Sequence, residues 1–377
     1  MNNVKGGNLV KLVAFFLIAA SLVLTVGFAS SGWQSILKPD SDDNVGKNPA
    51  QNGNVDENKD GNTADGGNND DRLPAVNPTP AYTDALTGLE ITEEASLLEY
   101  LAFVMRSDTP CYGISSAALT IEIPTENGDT RLLVFKNNAL GVDKIGSIAP
   151  ARDYISLLAY YFGGFLVHDS RDDSFDYEIA RPEVSGLDFS ESDGYSYTEY
   201  TEFVYTNGAL LNAFFRNSSI SGIADSAAAL PFDFSPLGEE ISKSGTSAVS
   251  ISVPYSEDNT TDFVFSGETK KYMLLKNGNI KTDMLNDKRL EYDNVFLLFA
   301  DAVTIETRES TETIIDTDGS GLGYYISRGA LYKISWYTDE NGSLTLLTES
   351  GERLTVNRGS SYIAYIKASS SAKIKIS

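Results

Sequence analysis

AALTIEIPTENGDTRLLVFKNNALGVDKIGSIAPARDYISLLAYYFGGFLVH, residues 117–168, reads as strand, strand, short strand, helix and strand in succession. Ala117–Ile123 alternates, with Leu119, Ile121 and Ile123 on one face and Thr120 and Glu122 on the other. Arg131–Lys136 has a continuous apolar centre, the mark of a strand buried on both faces. Asn137–Gly141 is a turn, and Val142–Ile148 is short and extended. Pro150 suits a first helical turn, and Gly163-Gly164 stops the helix that Arg152–Phe162 predicts. Phe165–Val167 then returns as a strand carrying His168 at its end.

Upstream, Thr92 is a good N-cap, followed by Glu93 and Glu94 where the helix dipole favours acids. Leu97, Leu98, Leu101, Val104 and Met105 recur at helical spacing and predict that this helix runs on to Met105. Downstream, Ala209–Arg216 predicts another helix. Strands interleaved with helices give an α/β layer structure over 84–237. Pro236–Thr246 lacks periodicity and marks a boundary. Beyond it, short alternating runs are separated by turn signals at Asn277-Gly278, Arg328-Gly329, Asn341-Gly342 and Ser350-Gly351. These predict an all-β antiparallel domain over 246–368, with a Ser- and Lys-rich tail, 369–377, that frays. The expected class is α+β: an N-terminal α/β domain, then an all-β domain, behind a membrane anchor and a disordered spacer.

The anchor is Leu12–Ala29, eighteen uncharged residues that would span ~27 Å as a helix. Residues 1–11 carry Lys5 and Lys11, which hold that end in the cytoplasm and direct the rest of the chain outward. The protein is therefore expected in the cytoplasmic membrane as a single-pass protein, with its C-terminal body outside. Gly27-Phe28-Ala29 also offers a cleavage site, and cleavage after Ala29 would make the protein secreted. Residues 30–83 form an acidic linker rich in Asn, Asp and Gly that cannot bury enough surface to order itself. Within it, Asp56–Gly61 imitates the opening of a calcium loop, but the twelfth place is Gly67 and not the required Glu.

The net charge is −24; three lysines and no acid in 1–38, with nine acids and three bases in 39–83, leave −21 on 84–377. Such a body repels nucleic acid and other polyanions. One cysteine, Cys111, excludes an intrachain disulfide, and one histidine, His168, excludes multi-histidine metal sites. No cofactor and no metal are expected.

Leu86-Thr87-Gly88-Leu89 opens a series of segments whose order is distinctive. It continues through Arg131–Phe135, Lys144–Tyr154, Phe165–His168, Gly319-Ser320-Gly321 with Gly323-Tyr324-Tyr325, Lys333–Trp336, and Gly359 with Tyr362-Ile363. In these segments, over about residues 85–367, the chain resembles the YerB-type cell-surface proteins of Gram-positive bacteria, a family built on a domain of unknown function. It departs from that pattern at Ala149, where the family has arginine, and at the charged turn Asp169–Asp173 after the VH strand. Phe203–Thr206 lacks a histidine that the family carries, and Ala29-Ser30-Ser31 has no lipobox cysteine. The polar site of the first domain therefore looks eroded. The anchor, the spacer and the eroded polar site together imply a non-catalytic binding or scaffold protein of the cell envelope, whose partner is an envelope protein or glycan.

Four residues are the candidates for chemistry. Arg152 and Asp153 stand where a turn enters a helix, and with Arg131 they suggest an anion site. This region also resembles, loosely, that of the LytR-type phosphotransferases, which implies as an alternative an enzyme acting on lipid-linked pyrophosphate. A local ion pair between Arg152 and Asp153, or a helix cap, is the reading preferred for these two residues. His168 could act as a general base, or could simply hydrogen-bond backbone at a strand end. Gly319-x-Gly321-x-Gly323 is no dinucleotide fingerprint, because a strand and not a helix follows it.

Overall fold

The computed structural model describes residues 82–170, 186–199, 202–218, 232–241, 245–306 and 311–377. The expected anchor at 12–29 and nearly all of the spacer lie outside them. Among the described residues no helix is long and apolar enough to cross a membrane. The last two residues assigned to the spacer, Tyr82-Thr83, already pair with Glu90-Ile91 in a small antiparallel ribbon.

The protein is mostly β. Its first part supplies β1 (Tyr100–Arg106), β2 (Leu119–Pro124), β3 (Thr130–Lys136), β4 (Ile145–Ile148) and β5 (Gly164–His168). Then come β6 (Ser250–Pro254), β7 (Thr260–Phe265) and β8 (Tyr272–Lys276). The last set is β9 (Asn294–Ala300), β10 (Ser320–Ser327), β11 (Ala330–Thr338), β12 (Leu344–Thr348) and β13 (Ser361–Lys367). Among the described residues the α-helices are α1 (Glu93–Ser96), α2 (Asp153–Tyr161) and α3 (Gly208–Asn217).

One large sheet crosses both parts of the chain, in the order β11-β10-β9-β13-β2-β3-β1, with β5 and β4 beside β1. The join is β13. It runs parallel to β9 from Asn294↔Ser361 to Ala300↔Lys367, and parallel to β2 from Leu119↔Ser361 to Glu122↔Ala364. The expectation of an all-β antiparallel second domain is corrected at β13, which pairs parallel with both of its neighbours and carries the sheet on into the first part of the chain. β6, β7 and β8 form a second, antiparallel sheet over one face of the first.

Burial on both faces explains the one helix that the sequence misplaces. α1 ends at Ser96, and the residues expected to extend it become β1. Leu101, Phe103 and Met105 enter the core under the second sheet and α3, while Tyr100, Ala102 and Val104 enter the opposite core with α2. A strand apolar on both faces has no period of two, so its leucines also satisfy helical spacing. Burying each such side chain contributes roughly 1.5–3 kcal/mol, which outweighs the local propensity for helix.

α2 and α3 fall where the sequence places them. Asn207 caps α3, its side-chain oxygen accepting from the Leu210 N–H at 2.9 Å. Asn207→Ala is expected to lower stability by about 1 kcal/mol in a denaturant titration; an unchanged midpoint would contradict this assignment. The tail does not fray. Lys375-Ile376 pairs with β6, and the Ser377 carbonyl accepts from Val249 N at 2.6 Å and Ser250 N at 3.0 Å.

Candidate functional site

The anion-site candidates meet at one end of β1 and β3. Arg106 and Arg131 are the last antiparallel pair of these strands and face each other in register. Arg152 precedes α2 in extended conformation and makes no side-chain cap. Its Nη2 instead donates to Glu126 Oε2 at 2.6 Å, in the turn between β2 and β3. The ion pair expected near Asp153 is therefore made with Glu126; Asp153 itself is exposed in the first turn of α2. Burial lowers the pKa of Arg131, and the like charges of Arg106 and Arg152 lower it further, against Asp129 and Glu126. The Arg106 guanidinium lies 5.6 Å from the centre of the Phe203 ring. Its Nε is buried and has no hydrogen-bond partner among the described residues.

His168 closes β5, two strands from Arg131, and is 1 % exposed. Its Nδ1–H donates to the Ser170 carbonyl at 2.9 Å, with Asp188 Oδ2 at 3.8 Å. The neighbouring Asp169 is pushed up, by burial first and then by Asp188, while Arg106 and His168 act the other way. The structure thus brings Arg131 and Arg152 together with an unforeseen Arg106, and it leaves Asp153 apart. Three guanidiniums against Glu126, Asp129 and Asp169 make a nearly neutral cluster. Guanidinium groups in such a cluster can offer directed, charge-assisted hydrogen bonds to a planar acceptor.

A second polar group was not legible in the sequence. Glu122, at the middle of β2, has no exposed surface. Its Oε1 accepts from Lys276 Nζ at 2.8 Å, Thr130 Oγ1 at 2.7 Å and Thr261 Oγ1 at 3.0 Å. Its Oε2 accepts from the Tyr362 hydroxyl at 2.8 Å. Burial raises the carboxyl, but Lys276 and the hydroxyl donors Thr130 and Tyr362 overcome it and leave the pKa below the usual carboxylate value. One carboxylate therefore ties β3, β7, β8 and β13 together. Its signal, a polar residue between Ile121 and Ile123, reads as an outward-facing position until the second sheet is seen to cover it.

Cys111 is buried, its thiol pushed up to about 11 by burial above all. A side chain at Gly321 would strike the Phe299 carbonyl and the Trp336 ring, so the glycines there serve the close approach of β9, β10 and β11. The faces of Tyr112 and Tyr205 are covered by the Lys144 ammonium, at 4.1 and 4.0 Å from the ring centres.

Comparison with known proteins places this arrangement in a family. The N-terminal domain of a protein of unknown function, DUF3048, matches residues 86–226, and the C-terminal domain of the same description matches 251–363. The chain belongs to this family. Among its relatives is YerB of Bacillus subtilis (strain 168), named as a candidate lipoprotein. That protein is 23 % identical over 269 residues, covering 67 % of this chain and 76 % of YerB. The crystal structure of Bacillus subtilis YerB superposes with a TM-score of 0.66 at 18 % identity, over 78 % of this chain and 99 % of that one. The likeness establishes a YerB-like fold. Nothing in these matches supports the lipid-pyrophosphate transferase.

Proposed function

We propose that this chain is an extracytoplasmic protein of the cell envelope, held at the cytoplasmic membrane by residues 12–29, that works by binding a partner and not by turnover. The relative named as a candidate lipoprotein supports a surface location. The partner is an envelope protein or glycan, and the contact is the arginine group. The observation that carries this reading is the gathering of Arg106, Arg131 and Arg152, with a buried Arg106 Nε that no described residue satisfies. Leaving such a donor unpaired costs about 1–3 kcal/mol, which a bound acceptor would recover. A body of charge −21 repels extended polyanions, so the group recognised is a local one, a single carboxylate or phosphate.

The test is affinity capture with the full chain in intact cells, comparing wild type with the Arg106→Ala/Arg131→Ala double variant. Capture of a defined envelope component is expected, with at least a tenfold loss in the double variant and an unchanged circular dichroism spectrum. Equal capture by both proteins would remove the arginine group from the reading. A hydrolase or transferase activity that Arg152→Ala abolishes would overturn the reading itself.

A further inference from the structure

Lys136 ends β3 on the face that the second sheet covers, and only 3 % of it is exposed. Its Nζ is hydrogen-bonded to the hydroxyl of Ser116, which is exposed in the loop preceding β2. That loop is held in place from the other part of the chain. The buried Asp283 accepts from the N–H groups of Gly113 and Ser115, each at 2.8 Å, and from Leu285 N at 2.9 Å. Asn286 Nδ2 donates to Ser115 Oγ at 3.0 Å, and Ala117 N donates to the Ile114 carbonyl at 3.0 Å. Asp283 is the charged group that faces Lys136, yet its oxygens are occupied by backbone donors.

A buried ammonium has three donors to satisfy. Among the described residues Lys136 has one side-chain partner, the Ser116 hydroxyl, to which Nζ donates as an ammonium; once it loses a proton, the amine in the same place accepts from that hydroxyl. Burial accordingly lowers the amine to about 8, with Asp283 opposing. The backbone N–H of Ser116 has no backbone acceptor among the described residues. Met284 and Leu285, on the hairpin that contacts Ser115, are 47 % and 38 % exposed and offer an apolar wall.

We propose that Ser116 is a nucleophile activated by Lys136, taking an apolar acyl group from an activated ester in a single covalent capture. The Ser116 hydroxyl proton passes to Lys136 Nζ as the Oγ–carbonyl carbon bond forms. The leaving oxygen then departs with the electron pair of its bond to that carbon and takes the proton from Nζ. The site is separate from the arginine group, and a covalently held acyl chain accords with a protein that works by binding.

The probe is an alkyl fluorophosphonate, added to the full-length chain in detergent micelles. Oγ attacks phosphorus, the phosphorus–fluorine bond breaks, and fluoride leaves. Expected is one adduct per chain, located on Ser116 by tandem mass spectrometry and formed about tenfold faster at pH 9 than at pH 7 as the amine loses its proton. Ser116→Ala removes the adduct, and Lys136→Met slows it at least tenfold. Ser116 is exposed, so the first variant folds whatever the fate of the second. An absent adduct, an adduct on another residue, or labelling of Lys136→Met at the wild-type rate would each overturn the proposal.

Discussion

Glu122→Ala is expected to destabilise the protein by about 3–5 kcal/mol, because it leaves Lys276 charged and buried beside hydroxyls that have lost their acceptor. The loss comes from orphaning the partner, not from the intrinsic worth of the pair. Replacing both residues, as Glu122→Leu with Lys276→Met, should therefore recover much of it. Chemical denaturation of the three proteins measures this directly. A single variant within 1 kcal/mol of wild type would show that water enters and solvates Lys276. The pH dependence follows from the direction of the shift. The folded carboxyl titrates below the unfolded one, so its contribution is complete above the unfolded value of about 4.3 and is lost as pH falls through the lower folded value. Acid unfolding should begin at higher pH in Lys276→Met than in wild type, since that variant removes what holds the folded carboxyl down.

Phe296→Ala carries the second large effect. Phe296 lies in β9, next to the joining strand β13, and is fully buried. Its ring stacks on Tyr325 at 5.0 Å and on Phe232 at 5.5 Å between centres. Tyr325 is anchored by a 2.9 Å bond to Asn294 Oδ1, so it cannot collapse into the space. A cavity remains, and the loss should be about 3–5 kcal/mol; Phe296→Leu, which keeps most of the volume, should cost clearly less. Thermal unfolding of the pair checks this, and equal midpoints would mean that the cavity closes.

What could be read in the sequence was whatever local chemistry determines. α2 and α3 were legible because glycines, Pro150 and an asparagine cap frame runs with a helical period. β2 was legible by its alternation, and β3 by an apolar centre too short for a helix between charged ends. β1 was not, since burial on both faces erases the alternation that separates strand from helix. The same misreading hid Arg106, which only the β1–β3 register sets opposite Arg131. The placement of Arg131 and Arg152 was legible from their positions at a strand start and a helix entry. Their partner Glu126 was not, because a turn residue gives no sign of the direction in which it points. Glu122 and Lys276 are 154 residues apart, and Lys136 and Ser116 meet through a loop that Asp283 fixes from far along the chain. Nothing local encodes such meetings.

The joining strand also sets a timetable. β13 reaches β2 across a separation of 240 residues, as Tyr362 bonds Glu122, and reaches β9 across 67, as Ser361 bonds Asn294. A ribosome therefore releases both receiving edges well before the segment that fills the gap between them. Throughout that interval β2 and β9 offer unpaired backbone groups to any other extended polypeptide. A chain cut short at residue 360 stays in that condition, and should be recovered as self-associated material held by holdase chaperones.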